Sequence, residues 1–580
     1  MIDEIKSVLR ECEVLKNINV LDDKKFKKFS YEQIIKANLI INSKKKLAIT
    51  ICIPKMWYEN LIDIYVDNYE DLPFIPHISR NGKICLFDVE GCLIDKNLGG
   101  IIVQSLFRAK DILEKGFSGE NSDDFIEEFE LYLSELQNVR QAKFVVPESK
   151  QDMMIKCQYK IIKQNKKEKY AQYVKRVNES VYYLGEGSKE LERWEQERTC
   201  IKNAAYFLVY PTSTIYPPDT RKHISLDYIN SLLEYTSSET TKMLLKLSNE
   251  KIILFAVNQP NGVCNYVGFL VTGGVIKKIE HKYYFKSCET IQPIVIRRAD
   301  KEYMLMRTKE KGIVKKKKIL VIGCGSIGGH LINELVKAGY EDLTIVDDDV
   351  LTEENIFRHV LGMEYVALPK CDALANYIKR NIPDVLIKPL KEKADEAILE
   401  EDLELDDYDM VVSAVGNHNF NRWLNEYVIS KQLKVPIIYA WNEVCGIGNH
   451  VAYFKVGNKS CYECLFERDE YTGEIYDKTA YCGRGQKIVH NSGGCGKSYV
   501  PYGNTISIKT VLICLDVIRD IFENNVDDNM LISMKGDKSY FTSKGLETST
   551  RYLNQKEQVK KLFGKEFANC KCGVCNGDRK

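Results

Sequence analysis

An apolar strand runs into a glycine-rich turn at Lys318-Ile-Leu-Val-Ile-Gly-Cys-Gly-Ser-Ile-Gly-Gly329, and a helix opens at Ile327. This stretch limits the chain to folds in which a parallel strand feeds a helix across a tight turn. Backbone N–H groups at such a helix start can face a phosphate, and Gly323, Gly325 and Gly328 let the phosphate come close. A glycine fingerprint alone is weak evidence, because plain strand-to-helix turns also carry one. The residues that follow narrow the reading. Asp347 ends the next apolar strand, Leu343–Val346, where a carboxylate can accept from ribose hydroxyls. Asn355, Arg358 and Lys370 then add a polar group and two cations, more than a nicotinamide cofactor needs and suited to a triphosphate.

Taken together, Gly-x-Gly-x-x-Gly, Asp347-x-Asp349, Asn355-x-x-Arg358 and Pro369-Lys370 resemble the adenylation signature of the ThiF/MoeB family and the ubiquitin-activating enzymes. The resemblance runs from about Lys315 onward. It implies ATP-dependent adenylation of the C-terminal glycine of a ubiquitin-like protein, with Asp347 on the ribose and Arg358 and Lys370 on the phosphates. Positive charge there would offset charge building on departing pyrophosphate. One departure stands out: the family has Asp-Asn after its fourth strand, but this chain reads Val411-Val-Ser-Ala-Val-Gly416-Asn417. The carboxylate associated with Mg2+ is absent; Asn417 and Arg422 remain, and Asp349 is the candidate to take part of the metal role. The site is then a variant one or an inactive one.

Composition adds bounds. The 580 residues suit about three domains. Lys and Arg total 83 against 82 Asp and Glu, a formal net charge of +1 that gives no footprint for nucleic acid. No apolar run reaches the ~18 residues of a membrane span, and the first residues lack a signal-peptide pattern. The expectation is a cytoplasmic protein whose 19 cysteines are thiols, metal ligands or nucleophiles.

Cys461-Tyr-Glu-Cys464 and Cys572-Gly-Val-Cys575 are two Cys-x-x-Cys knuckles, each placing two thiolates on one tight turn. Four such ligands make a closed tetrahedral site that holds a fold and does no chemistry. The family has this pair-plus-pair arrangement, so structural Zn2+ is expected; Cys570 is a competing ligand. Between the knuckles lies a glycine-rich polar segment followed by an apolar helix, Ile506–Ile521. In thioester-forming relatives the nucleophile precedes such a turn and helix, which points to Cys495, with Lys497 nearby to favour its thiolate. Cys482 is the alternative.

The N-terminal third carries a second resemblance. Pro76-His-Ile-Ser-Arg-Asn-Gly-Lys-Ile-Cys85-Leu is similar to the active-site segment of ubiquitin-conjugating enzymes, His-Pro-Asn followed by a turn and Gly-x-Ile-Cys-Leu. Strand-like runs Leu47–Ile53 and Ile62–Val66 precede it, and an amphipathic helix, Leu98–Leu113, follows. The resemblance implies that Cys85 carries the modifier as a thioester. His77 stands where those enzymes have asparagine, and its ring N–H can donate to an oxyanion. Read alone, Cys85 is better explained as a small buried hydrophobe; beside an activating domain, which needs a further acceptor, the balance reverses. Cys92 is a weaker candidate.

Residues 146–312 read as a mixed α/β connecting domain, with strands at Ala205–Tyr210, Ile252–Val257 and Tyr266–Val271 and a helical stretch Leu226–Leu247. Arg307 is a candidate for the arginine that reaches a partner's ATP site in family dimers. The expected fold is thus α/β: an α+β ubiquitin-conjugating-like domain (1–145), the connecting domain (146–312) and a Rossmann-like adenylation domain with structural zinc (313–580). Such an order is similar to the ubiquitin-transferase-like component of bacterial antiphage (CBASS) operons. That resemblance implies a homodimer using ATP, Mg2+ and Zn2+, a cGAS-like nucleotidyltransferase as protein cargo, and a protein target supplying an amine. Alternatives are a sulfur-carrier adenylyltransferase for thiamine or molybdopterin synthesis, and a catalytically inactive binding scaffold.

Overall fold

The computed structural model describes residues 2–21, 31–43, 45–87, 97–147, 149–160, 168–169, 172, 181–185, 201–247, 249–306, 317–382, 385–491, 498–524, 526 and 528–575. Its contacts divide the chain into two compact units, Met1–Asp300 and Lys301–Lys580.

The first unit begins with helix α1 (Ile2–Glu11) and an antiparallel meander of four neighbouring strands: β1 (Leu15–Leu21), β2 (Tyr31–Ile40), β3 (Lys46–Pro54) and β4 (Asp63–Val66). Both expected strands are therefore present. Helix α2 (Leu98–Ser118) covers the sheet with Leu98, Ile101, Ile102, Leu106, Ala109, Ile112 and Leu113, the spacing of a single buried face. Asn97 caps its start by accepting from Gly100 N, and Gly119 ends it in the left-handed region. Between sheet and helix, the segment carrying Cys85 folds back on β4. Val66 N donates to Gly82 O at 2.8 Å, and Ile84 N donates to Ile64 O at 2.8 Å. Gly82 is required there: its φ is +82°, and a Cβ would lie 2.6 Å from Val66 O. Short helices α3 (Asp124–Glu127) and α4 (Phe129–Ser134) follow.

In the middle of the chain the expected strands at 205–210, 252–257 and 266–271 are present, and they belong to a closed barrel of seven described strands. In chain order these are β5 (Arg140–Phe144), β6 (Met153–Lys160), β7 (Val181–Leu184), β8 (Ile201–Val209), β9 (Glu250–Asn258) and β10 (Cys264–Thr272), then, after a hairpin of β11 (Val275–Ile279) and β12 (Lys282–Ser287), β13 (Thr290–Arg298). The 226–247 stretch is broken into Leu226–Glu234, Ser238–Lys242 and a 3-10 turn, because Ser225 and Ser237 each cap a new start.

The second unit is an eight-stranded sheet. Its parallel part comprises β14 (Lys318–Ile322), β15 (Asp342–Val346), β16 (Leu386–Leu390), β17 (Met410–Ser413) and β18 (Ile437–Asn442), ordered β16-β15-β14-β17-β18. That is the doubly wound order expected of a nucleotide fold, with its switch point between β14 and β17. β19 (Gly448–Phe454) pairs antiparallel to β18. Two small ribbons, β20 (Phe466–Arg468) with β21 (Ile475–Asp477) and β22 (His490–Asn491) with β23 (Ser498–Tyr499), precede the last two sheet strands, β24 (Met530–Lys535) and β25 (Val559–Phe563). The helix Ser326–Lys337 packs on the long helix Asn504–Asn524, which contains the expected apolar helix.

Candidate functional site

A cavity of about 480 Å³ opens at the carboxyl ends of β14, β15 and β17. Gly323, Gly325, Ser326, Asp347, Asp349, Asn355, Arg358, Lys370 and Asn417 all line it, so the sequence motifs converge on one place. Each glycine has a separate physical reason. Gly323 has φ +93° and sits where a Cβ would be 3.2 Å from the backbone of Ala414 and Val415. Gly328 lets the helix approach the strand, since a Cβ would lie 1.8 Å from Gly323 O. Gly325 meets nothing within 4 Å; its bare backbone faces open space at the helix start.

The charged groups arrive already engaged. Lys370, 8% exposed, opens the helix Lys370–Asn381 and donates its ammonium to Asp349 Oδ2 at 2.7 Å. Asp347 accepts from Cys324 N at 2.6 Å and from Asp349 N at 2.9 Å. Burial outweighs those bonds and the nearby Lys370, and raises its pKa. The Arg358 guanidinium lies 5.8 Å from the Tyr502 ring, and the Tyr502 hydroxyl is 3.0 Å from Ser326 Oγ. Asn355 and Asn417 do local work as well. Asn355 Oδ1 accepts from Thr352 N at 3.2 Å, closing a capping box, and Asn417 Oδ1 accepts from Asn419 N at 2.9 Å, capping the helix His418–Ser430. Arg422 is a correction. It forms a two-pronged pair with Glu463, at 2.7 and 2.8 Å, and does not line the cavity. Gly416 has φ +70° with nothing within 4 Å of a Cβ, so the missing carboxylate leaves open space.

In the first unit Cys85 is exposed, as a nucleophile must be and a core cysteine is not. Its N–H donates to His77 O at 2.8 Å. His77 adopts φ +63° and is held from three directions: its N–H donates to Tyr132 Oη at 2.8 Å, Nδ1 lies 3.0 Å from Glu128 Oε1, and Nε2 lies 2.8 Å from Asp124 Oδ2. The Cys85 thiol beside the ring, together with these carboxylates, raises the His77 pKa to about 10 against the opposing effect of burial. Both ring nitrogens are occupied, so the oxyanion donation expected of a ring N–H has no spare hydrogen in this arrangement.

Comparison with known proteins matches two parts of the chain to known domain families. The ThiF family matches residues 300–547, and prokaryotic E2 family B matches residues 14–141. The chain joins a ThiF domain to an E2-like domain. It is similar to the ATP-dependent ubiquitin transferase-like protein Cap2 of Pseudomonas aeruginosa (28% identity over 235 residues, 40% of this chain and 41% of that protein). It is also similar to Cap2 of Escherichia coli (26% over 302 residues, 48% of each). A third relative is the SAMP-activating enzyme E1 of Haloferax volcanii (27% over 180 residues, 29% of this chain and 60% of that protein). The chain thus spans less than half the length of these Cap2 relatives. Among solved structures, Escherichia coli MccB overlays 45% of this chain and 66% of its own with a TM-score of 0.32 and 18% identity.

The second unit holds the cysteine cluster. Cys461 and Cys464 meet Cys572 and Cys575 with all four sulfurs within 4.8 Å of one another. Cys461 and Cys572 sulfurs are 3.7 Å apart, Cys464 and Cys575 sulfurs 3.4 Å. Four thiolates at ~2.3 Å from a tetrahedral ion stand about 3.8 Å apart, so the set fits Zn2+. Cys570 is exposed and outside the cluster, which removes it as the competing ligand.

Of the two ThiF-domain nucleophile candidates, Cys495 lies outside the described residues, as do Lys497, Arg307 and Cys92. Cys482 is half-buried, and burial with Glu443 and Cys445 nearby pushes its thiol up to about 11, away from a ready thiolate. Glu443 Oε2 also accepts from Cys482 N at 2.7 Å, fixing that backbone from the core.

Two histidine-related features escaped the sequence reading. His359, next to Arg358, lines the cavity, with Nε2 at 2.7 Å from Cys324 O and Nδ1 accepting from Leu361 N at 3.1 Å. Its position directly after the Asn-x-x-Arg motif was the available signal. Asp124 and Glu128 had none, lying 47 and 51 residues from His77.

Proposed function

We propose that this chain uses ATP to adenylate the C-terminal carboxylate of a protein and passes the acyl group through cysteine thioesters to an amine. The observation that carries this reading is the presence in one chain of a glycine-floored, cation-lined cavity and an exposed cysteine within an E2-like domain.

In the first step a cargo carboxylate oxygen attacks the α-phosphorus of ATP and the bond to pyrophosphate breaks. Gly325 leaves its backbone open to phosphate. Lys370 exchanges Asp349 for a phosphate oxygen, and Arg358 adds a second positive charge. Asp347 accepts from the ribose. Mg2+, when bound, would screen the phosphates, and Asp349, freed by Lys370, is the carboxylate placed to hold it where Gly416 supplies none. A thiolate, assigned to Cys495, then attacks the acyl carbon and AMP leaves. The Cys85 thiolate takes the acyl group by transthiolation, the first cysteine departing as thiolate. Finally an amine attacks, loses a proton and releases the Cys85 thiolate. Cys461, Cys464, Cys572 and Cys575 would hold Zn2+ and do no chemistry.

The similarity to Cap2 ubiquitin transferase-like proteins supports the transferase reading; a three-part division at 1–145, 146–312 and 313–580 and a role in bacterial antiphage defence are proposed with it. A cGAS-like nucleotidyltransferase is the proposed cargo, and the proposed enzyme is a cytoplasmic homodimer. Among the described residues no helix is long and apolar enough to cross a membrane. The test is a thioester trap: the protein is expressed with its operon neighbours as wild type, Cys85→Ser and Cys495→Ser, and resolved without reductant. An ATP-dependent adduct that dithiothreitol removes, and that becomes resistant in a serine variant, supports the reading and yields the cargo's mass. No adduct on either cysteine overturns it.

A further inference from the structure

The E2-like centre contains an arrangement that its short motif does not encode. Glu128 uses both carboxylate oxygens: Oε1 faces His77 Nδ1 at 3.0 Å and Oε2 accepts from Tyr132 Oη–H at 2.8 Å. Asp124 Oδ2 faces Nε2 at 2.8 Å. Carboxylate oxygens only accept, so both ring nitrogens are donors and the ring is an imidazolium. A histidine so held is neither a base nor an adjustable donor; it is a fixed cation.

Its placement follows from the same contacts. The His77 N–H to Tyr132 bond fixes the backbone, and the Cys85 N–H to His77 O bond fixes the cysteine against it, at 2.8 Å each. Packing of Phe74 on Phe125 (4.7 Å between ring centres) and edge-on against Tyr132 holds α3 and α4 in place behind the loop. Near the centre Lys83 pairs with Asp63 at 2.7 Å, and the Arg80 backbone N–H donates to Glu135 Oε2 at 2.9 Å while its guanidinium reaches Glu135 O at 3.4 Å. Glu128 also keeps its charge. Burial alone would raise its pKa, but the bonds from His77 and Tyr132 outweigh burial and lower it.

We propose that Asp124 and Glu128 are positioning residues of the Cys85 centre, holding His77 as a permanent cation beside the sulfur. The cation stabilises the thiolate and the oxyanion formed when an acyl carbonyl there is attacked. Conjugating enzymes with asparagine at this position use a neutral amide; here a charge replaces it. The oxyanion part rests on the reading of Cys85 as an acyl carrier, whereas the thiolate part does not.

The test measures alkylation of Cys85 by iodoacetamide in the full chain, with the Cys85 peptide quantified by mass spectrometry. Variants are His77→Asn, His77→Arg and Asp124→Asn with Glu128→Gln. Asparagine tolerates φ near +63° better than most residues, so His77→Asn removes charge without backbone strain. Expected at pH 7 is a fall of about tenfold in His77→Asn, a tenfold change being one pK unit of differential stabilisation, and retention of most of the rate in His77→Arg. In the double variant the carboxylates no longer raise the ring, its titration moves down from about 10, and the rate acquires a new step at lower pH that wild type lacks. A merely structural role would not produce that step. Alkylation of His77→Asn at the wild-type rate, or a double variant without the new step, overturns the proposal. Because alkylation needs no cargo, its outcome is separate from the thioester trap. A missing thioester with the charge dependence intact would sink the proposed function alone.

Discussion

The two centres each place a histidine beside the reactive chemistry and set it to opposite charge. His77 lies between two carboxylates and is raised to about 10, with the Cys85 thiol the largest cause. His359 is buried, bonded to a carbonyl on one side and an N–H on the other, and burial lowers it to about 4. One nitrogen of His359 must accept, so the ring is neutral. The difference shows how the cavity and the cysteine centre are tuned. Lys370 and Arg358 already line the cavity, and a further buried cation would cost desolvation. The cysteine centre is exposed, and its histidine supplies the charge.

The contrast can be broken in several ways. The largest expected effect is on Lys370→Ala, which should lower ATP–pyrophosphate exchange roughly 10²- to 10³-fold while Cys85 alkylation stays at the wild-type rate. Loss of both would mean the centres are not independent. Next is the pH dependence of stability. For His359 the unfolded chain binds the extra proton between pH ~6.5 and about 4, so its contribution is complete above ~6.5 and lost as pH falls through that window. The loss amounts to about 1–3 kcal/mol, read as faster hydrogen exchange in residues 318–381. His77 has the reverse sign. Its contribution is complete below ~6.5 and lost as pH rises toward about 10, read as faster exchange in residues 124–134. The same slope in both regions would refute the assignment of opposite charges.

Smaller effects test the backbone. Gly323→Ala, at φ +93° and against the Ala414–Val415 backbone, should cost about 1–2 kcal/mol and weaken nucleotide binding measured by calorimetry. Asn417→Ala removes a helix cap and should cost about 1 kcal/mol, seen in exchange of the helix His418–Ser430. If exchange there is unchanged but ATP affinity falls, Asn417 serves the ligand rather than the helix.

What the sequence reveals depends on how local the determinant is. The glycine turn and Asp347 follow successive strand ends and Lys370 opens the helix between β15 and β16, so a doubly wound sheet brings them together. The two cysteine knuckles are separated by over a hundred residues, yet each is a recognisable pair, and the pairs can be matched by valence. The barrel offers no such signal: β5 lies between β13 and β7, parallel to both, and nothing in Arg140–Phe144 names those neighbours. Arg422 misleads for a related reason, since an arginine next to a motif looks like part of it until its partner, Glu463, is known. The clamp on His77 likewise depends on where α3 and α4 pack, which is a property of the whole domain.

The four-sulfur cluster has a consequence for synthesis. Its two halves are 111 residues apart, and at ~5–20 residues per second the second knuckle follows the first by roughly 6–20 s. Throughout that interval Cys461 and Cys464, which end up buried, must wait as free thiols. Oxidant encountered by a nascent chain would therefore do damage that the same oxidant could not do to the finished protein.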